Sequence, residues 1–247
     1  MSNNIFSGCV SLTSLSIPEG VTVIESSAFN NCINLTSIIL PETLNTIEDY
    51  AFNNCESLSI INIPNSVINF GFIIFYGCIN LSTVYNNRTF IYMSPSYQQT
   101  TFNIPNGITH IATTAFYNCK NLQTINFPNS VTTIESGSFN GCVNLYNINY
   151  GSGLQYIGDS AFNGCIGVGT IDIPNSIQYI GNDAFRNCYG SAYGADPIIC
   201  RSIVPPTLGT NAFYNTYCDI LVPTESVESY KTATNWSEYA GRIHEIQ

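Results

Sequence analysis

The sequence predicts a right-handed solenoid of stacked 23-residue repeats, of α/β or mainly β class. Parallel strands would form one face, with short helical turns or short strands on the other. Three observations predict it: a cysteine ladder, a phenylalanine ladder, and a proline that recurs at a fixed distance from each cysteine. Self-similarity at a fixed period is the signature of repeat architectures, in which each unit buries its apolar face only against its neighbours.

The cysteines come first. Cys9, Cys32, Cys55 and Cys78, then Cys119, Cys142, Cys165 and Cys188, stand 23 residues apart within each set, and 41 residues, one period plus 18, separate Cys78 from Cys119. A phenylalanine three residues ahead of each cysteine gives Phe6, Phe29, Phe52, Phe75, Phe116, Phe139, Phe162 and Phe185, with Phe213 as a further member. Nine residues after the cysteine stand Pro18, Pro41, Pro64, Pro128 and Pro174, with Gly151 as the exception. The unit reads C-x-x-L-x-x-I-x-I-P-x-x-V-x-x-I-x-x-x-A-F-x-x.

Within a unit, L-x-x-I-x-I-P, as in Leu12 to Pro18, alternates apolar side chains and stops at a residue that cannot donate to a ladder, which reads as a short strand. The stretch V-x-x-I-x-x-x-A-F-x-x-C spaces its apolar residues three to five apart, as a tight turn or a single helical turn would. The segment Ile79 to Pro105 breaks the beat. It carries Tyr85, Phe90, Tyr92, Tyr97 and Phe102 with Arg88 among them, and Phe72 and Ile73 just before it replace residues that are mainly small or polar elsewhere. We expect a hairpin-like excursion packed over Phe72 and Ile73, with a partner-facing aromatic patch as the alternative. The expected organisation is a solenoid over residues 1–222, irregular at 79–105 and degenerate from about 189 to 222, followed by a capping segment over 223–247. Ser226 to Ala233 reads as a short helix, with Trp236 and Ile243 available to cover the last strand.

Composition narrows the function. Apolar residues make up 45% of the chain and charged residues only 9%, so Ser, Thr, Asn, Gln and Tyr must cover the surface. The net charge of -10 argues against nucleic acid or an anionic lipid surface, both of which need clustered Lys and Arg. The longest apolar stretch, Phe70 to Ile79, falls short of the roughly 20 residues a membrane span takes. The N-terminus MSNNIFSGCV has neither a basic n-region nor an apolar h-region, so no signal peptide is expected within it. Because the chain starts at the Ile-Phe of a repeat, we expect either further sequence upstream or pairing of that end with another copy, hence a monomer or a weak end-to-end dimer.

Candidate chemistry is sparse. No cysteine pair has C-x-x-C spacing, so no zinc site is expected. In-register side chains of successive coils project in parallel, poor geometry for a disulfide, and the eight ladder cysteines read as buried thiols. Cys200 and Cys218 stand outside the ladder and could form a disulfide or be two more buried thiols. His110 and His244 are the two histidines, and His110 falls where other repeats carry Val23, Thr46 or Thr133, a surface position. No nucleophile elbow, metalloprotease, phosphate-loop or calcium-loop motif occurs, so neither catalysis nor a cofactor is expected. The sequons at Asn34, Asn80, Asn87 and Asn235 read as chance matches.

The repeats CINLTSIILPETLNTIEDYAFNN from Cys32 and CKNLQTINFPNSVTTIESGSFNG from Cys119 resemble the BspA-like, or Treponema pallidum type, leucine-rich repeats over nearly the whole chain. The tail from Ile203 resembles the closing segment of such proteins. The resemblance implies a non-catalytic module of a cell-surface or secreted protein of a host-associated bacterium, used in adhesion to a protein on a host or neighbouring cell. The sequence lacks a regular Asn at the turn after the strand, so an asparagine ladder there is not expected. Outward strand positions build uncharged polar columns suited to a protein partner or a glycan. The residues singled out for binding are Tyr85, Arg88, Tyr92, Gln123, Tyr146, Asn147, Asn149 and Asp172. A spacer or self-association role and a glycan-binding role stand as alternatives.

Overall fold

In a computed structural model, residues 3–188 and 196–247 are described. The chain is mainly β, built of stacked coils. It divides into two compact units, Met1–Tyr97 with Ala112–Ala115, and Gln98–Ile111 with Phe116–Gln247.

In the first unit, Ser14–Ser16, Ser37–Ile39 and Ile60–Ile61 form a parallel sheet in which Ser14 pairs with Ser37 and Ser37 with Ile60. Residues 23 apart thus face one another, so the period of the sequence is the register of the sheet. A second parallel sheet joins Val23–Ile24, Thr46–Ile47 and Asn69–Phe70. The second unit repeats the plan. Thr101–Asn103, Thr124–Asn126 and Asn147–Asn149 form one parallel sheet. Strands His110–Ile111, Thr133–Ile134, Tyr156–Ile157, Tyr179–Ile180 and Thr207–Leu208 form another. A further sheet joins Ile171–Ile173, Ile198–Cys200, Ile220–Val222 and Ile243–Glu245.

The return segment is a chain of tight turns rather than a helical turn, and backbone bonding explains why. Its N–H groups bond one coil onward instead of within a helix: Phe29 N–H to the Ala51 carbonyl at 2.8 Å, Phe52 to Ile74 at 3.0 Å, Phe139 to Ala161 at 2.7 Å. Two residues per coil adopt the left-handed conformation to permit this. One immediately precedes the cysteine and is Asn or Gly in each described coil: Gly8, Asn31, Asn54, Gly77, Asn118, Gly141, Gly164 and Asn187. These are the residue types that tolerate positive φ. The other, five before the cysteine, is less suited, and Ile73 holds φ 52° there.

The core consists of rungs. Phe6, Phe29, Phe52 and Phe75 stack face to face with centroids 5.2 to 5.4 Å apart. In the second unit Phe116, Phe139, Phe162, Phe185 and Phe213 stack at 4.5 to 5.7 Å. Beside each stack run the thiols, buried from Cys32 to Cys188. Each does more than fill space: Cys55 Sγ donates to the Phe29 carbonyl at 3.2 Å, and Cys142 to that of Phe116 at 3.0 Å. Desolvation by burial pushes the Cys32 thiol up to about 11, and that of Cys165 well above its ordinary range. Cys200 and Cys218 are two further buried thiols, unbridged. Cys9 corrects the expectation of eight buried rungs. It is exposed, because no described coil precedes it to supply the covering phenylalanine and the accepting carbonyl.

The irregular segment contains the expected hairpin. Thr83–Tyr85 pairs antiparallel with Thr89–Met93. Asn86 closes it: its buried Oδ1 accepts from the N–H groups of Arg88 and Thr89 at 3.0 and 2.8 Å, and its Nδ2 donates to the Val67 carbonyl at 3.2 Å. The hairpin packs elsewhere than expected. Phe72 stays 39% exposed and meets the edge of Tyr50 instead, whereas Tyr92 lies on Phe75 with centroids 5.8 Å apart. Phe90, Ile91 and Met93 are buried with it. The hairpin thus covers the end of the Phe stack at Phe75 and leaves Phe72 to Tyr50.

At the C-terminal side, the helix Val227–Thr232 and the 3-10 helix Trp236–Arg242 bring Trp236 and Tyr239 onto Phe213, both at 5.7 Å. Trp236 Nε1 donates to the Pro206 carbonyl at 2.8 Å, so its one polar group is satisfied on burial. Ile243 then extends the last sheet in parallel beside Ile220. Residues 189–195, where the last repeat was expected to begin, and Ser2 at the N-terminus lie outside the described residues.

Candidate recognition faces

Strand alternation sends every second side chain outward, and the two units fill those positions differently. On the first unit's strand face, Ser14, Ser16 and Ser37 share the sheet with Ile39 and Ile60, which are 66% and 68% exposed. Ile60 lies opposite Ser37, so the two isoleucines are diagonal neighbours on adjacent strands. Tyr85, 51% exposed, takes the same outward position in the hairpin strand as Ile39 does in its own. Its ring stacks at 6.1 Å on buried Phe90.

The second unit's face carries an amide ladder. Asn126 Nδ2 donates to Asn103 Oδ1 at 2.7 Å, and Asn149 Nδ2 donates to Asn126 Oδ1 at 2.6 Å. Asn147 Nδ2 reaches Thr124 Oγ1 at 3.4 Å. Asparagine does ladder in this protein, but on the strand face and in the return turns, where Asn53 bonds Asn30 and Asn54 bonds Asn31. The sequon residues Asn34 and Asn80 are spent on structure: their amides donate to the carbonyls of Val10 and Glu56, one coil back.

The structure sorts the sequence-derived candidates. Gln123, Tyr146, Asn147 and Asn149 are exposed on the second unit's face, Tyr85 is exposed on the first, and Arg88 is exposed in the hairpin turn. Tyr92 is corrected: it is buried as the cover of Phe75 and presents nothing to a ligand. Asp172 is occupied, because Arg201 grips it with Nε to Oδ1 at 2.6 Å and Nη2 to Oδ2 at 2.7 Å, a bidentate pair. That pair holds the Arg201 guanidinium above its ordinary pKa, the hydrogen bond to Asp172 being the main cause. Sequence reasoning placed Ile39 and Ile60 outward, as apolar interruptions of the polar columns, without singling them out for binding, and it missed Asn103, hidden in the irregular segment. Aligning that segment on the strand register would have found Asn103. His110 is half-buried, with Nδ1 2.7 Å from Thr109 Oγ1.

Among the described residues, no group of three or more His, Cys, Asp and Glu is placed to hold a metal ion. No helix among them is long and apolar enough to cross a membrane.

The chain is similar to two solved leucine-rich repeat proteins. A leucine-rich cell surface protein of Faecalibacterium prausnitzii is 27% identical with a TM-score of 0.57, over 99% of this chain and 62% of that one. The chain therefore spans less than two thirds of that relative. The leucine-rich repeat protein of T. pallidum is 30% identical over 67% of this chain and 69% of its own, at a TM-score of 0.45. No curated protein matches. The family described as the BspA type leucine rich repeat region matches residues 1–97 and 89–217, in 6 copies. Its rungs are those laid out above, and the chain belongs to the BspA-type leucine-rich repeat family.

Proposed function

We propose that this chain is the non-catalytic recognition part of a cell-surface or secreted protein, and that it adheres to a protein partner through the strand face of its first unit. The observation that carries the reading is the diagonal of Ile39 and Ile60, with Tyr85 at the equivalent hairpin position, standing among serines on a sheet without charge. Large apolar side chains left exposed on a flat, regular sheet mark an interaction surface. Aromatic and aliphatic anchors surrounded by small polar residues are the usual composition of a binding hot spot. The surface location draws support from the Faecalibacterium relative, described as a cell surface protein. In the same reading residues 223–247 serve as the closing segment of the solenoid.

The test is binding of the full chain to a panel of immobilised extracellular-matrix proteins, followed by the double variant Ile39→Asp and Ile60→Asp. Retention of at least one matrix protein is expected, and its affinity should fall by about a hundredfold in the double variant, two anchors at roughly 1.4 kcal/mol each. Full affinity in that variant removes this face from the function.

A further inference from the structure

The second unit's strand face has a different chemistry, and from it we infer a separate binding site for a neutral, β-linked oligosaccharide, laid across the rungs from Asn103 to Asn149 and stacked on Tyr146. The argument starts from Gly169. A Cβ added there would stand 3.2 Å from Oδ2 of Asp196 and 3.3 Å from both Cε2 and Cζ of Tyr146. The missing side chain leaves the outer end of the tyrosine ring room beside Gly169 while the residue remains 51% exposed. A ring that reaches toward the next coil and stays exposed can serve as a platform. Pyranose rings of β-linked sugars present an apolar face of C–H groups, which stacks on such a platform, and equatorial hydroxyls at its rim.

Beside the platform, the amide ladder supplies what hydroxyls need. Asn126 uses one N–H on Asn103 and one lone pair on Asn149. The side chain has two N–H donors and two acceptor sites, so one of each remains at the same amide. A sugar hydroxyl is also a donor and an acceptor at one atom. The ladder bonds fix the amides before a ligand arrives, which lowers the entropic cost of ordering them on binding. Strands repeat every 4.8 Å or so, close to the rise of an extended pyranose chain, so consecutive sugars meet equivalent amides.

Charge selects the neutral class. Asn103, Asn126, Asn147 and Asn149 carry none, the adjacent Asp172 and Arg201 neutralise each other, and the Asp196 carboxylate beside Gly169 adds a negative charge at the platform's edge that disfavours an anionic sugar. The net charge of -10 repels sulfated or carboxylated glycans. A protein partner fits less well here. The only large exposed hydrophobic side chain on this face is Tyr146, among the described residues.

The experiment titrates the full chain by calorimetry with three β-1,4-linked hexasaccharides, of glucose, mannose and N-acetylglucosamine, and with an oligogalacturonate as the anionic comparator. At least one neutral hexasaccharide should bind. Its affinity should fall by about tenfold in Tyr146→Ala, the worth of one stacked ring, and survive in Tyr146→Phe, which keeps the ring and the fold. Asn126→Ala, which breaks the ladder at its centre, should weaken it severalfold. The double variant at Ile39 and Ile60 should bind the sugar as the unaltered chain does, so failure here is distinct from failure of the protein-binding reading. The inference is overturned if no neutral hexasaccharide binds, if Tyr146→Ala binds as tightly as Tyr146→Phe, or if the anionic comparator binds as well as the neutral ones.

Discussion

The two units share an interior and differ on the outside. Inward positions hold the same Leu, Ile, Phe and Cys in both, since each rung must land on an identical rung 23 residues away, and a change of size would leave a void or a clash on both sides. Outward positions answer to no neighbour in that way. The first unit places Ile39 and Ile60 there, and the second places Asn103, Asn126 and Asn149. The units also finish their aromatic stacks differently. In the first, a hairpin inserted in the chain lays Tyr92 on Phe75; in the second, a C-terminal helical segment lays Trp236 and Tyr239 on Phe213. A repeat thus fixes what must be the same, and function and closure are written where it relaxes.

That comparison can be broken at the stack ends. Trp236→Ala removes a fully buried indole and its bond to Pro206, and should cost about 3–5 kcal/mol. Hydrogen exchange read by mass spectrometry should show protection falling in the second unit well before the first. Equal loss in both would mean that the two stacks melt as one.

Asn86→Ala attacks the other closure. It strips two backbone N–H groups of their acceptor in a partly buried turn and should cost about 1–3 kcal/mol, measured by denaturant unfolding. Exchange should accelerate in residues 83–93 first. A smaller loss than about 0.5 kcal/mol would show that the hairpin is held by its apolar contacts alone.

The smallest effect sharpens the contrast at the return turn. The left-handed residues five before the cysteine include the β-branched Ile73 in the first unit and Gly137 in the second. A β-branched residue is strained there, so Ile73→Asn should raise stability by up to about 1 kcal/mol, visible as a higher melting temperature. A drop would mean that the half-buried Ile73 side chain contributes more by packing than its backbone loses.

Much of the molecule is readable without coordinates. The cysteine spacing gives the register directly, because Ser14 meets Ser37 and Thr124 meets Asn147 at the same period. The Asn or Gly before each cysteine was readable too. It announces a left-handed turn, and therefore tight turns instead of a helix on the return side. Other features were not. The partner of Asp172 is Arg201, 29 residues onward and off the period. The hairpin's choice of Phe75 over Phe72 depends on which apolar surface the fold leaves open.

The sequence by itself determined the rungs: period, class, strand positions, the buried thiols from Cys32 to Cys188, and the helix that begins at Val227. These follow from short-range rules, since a repeat of one pattern has one way to stack. Tertiary structure alone decided which of the variable residues stay exposed. Tyr92 became core because its ring reaches the end of a stack, and Tyr146 stays exposed with the room that Gly169 leaves beside it. Both are tyrosines in variable positions, and the difference between them is what the next coil leaves uncovered.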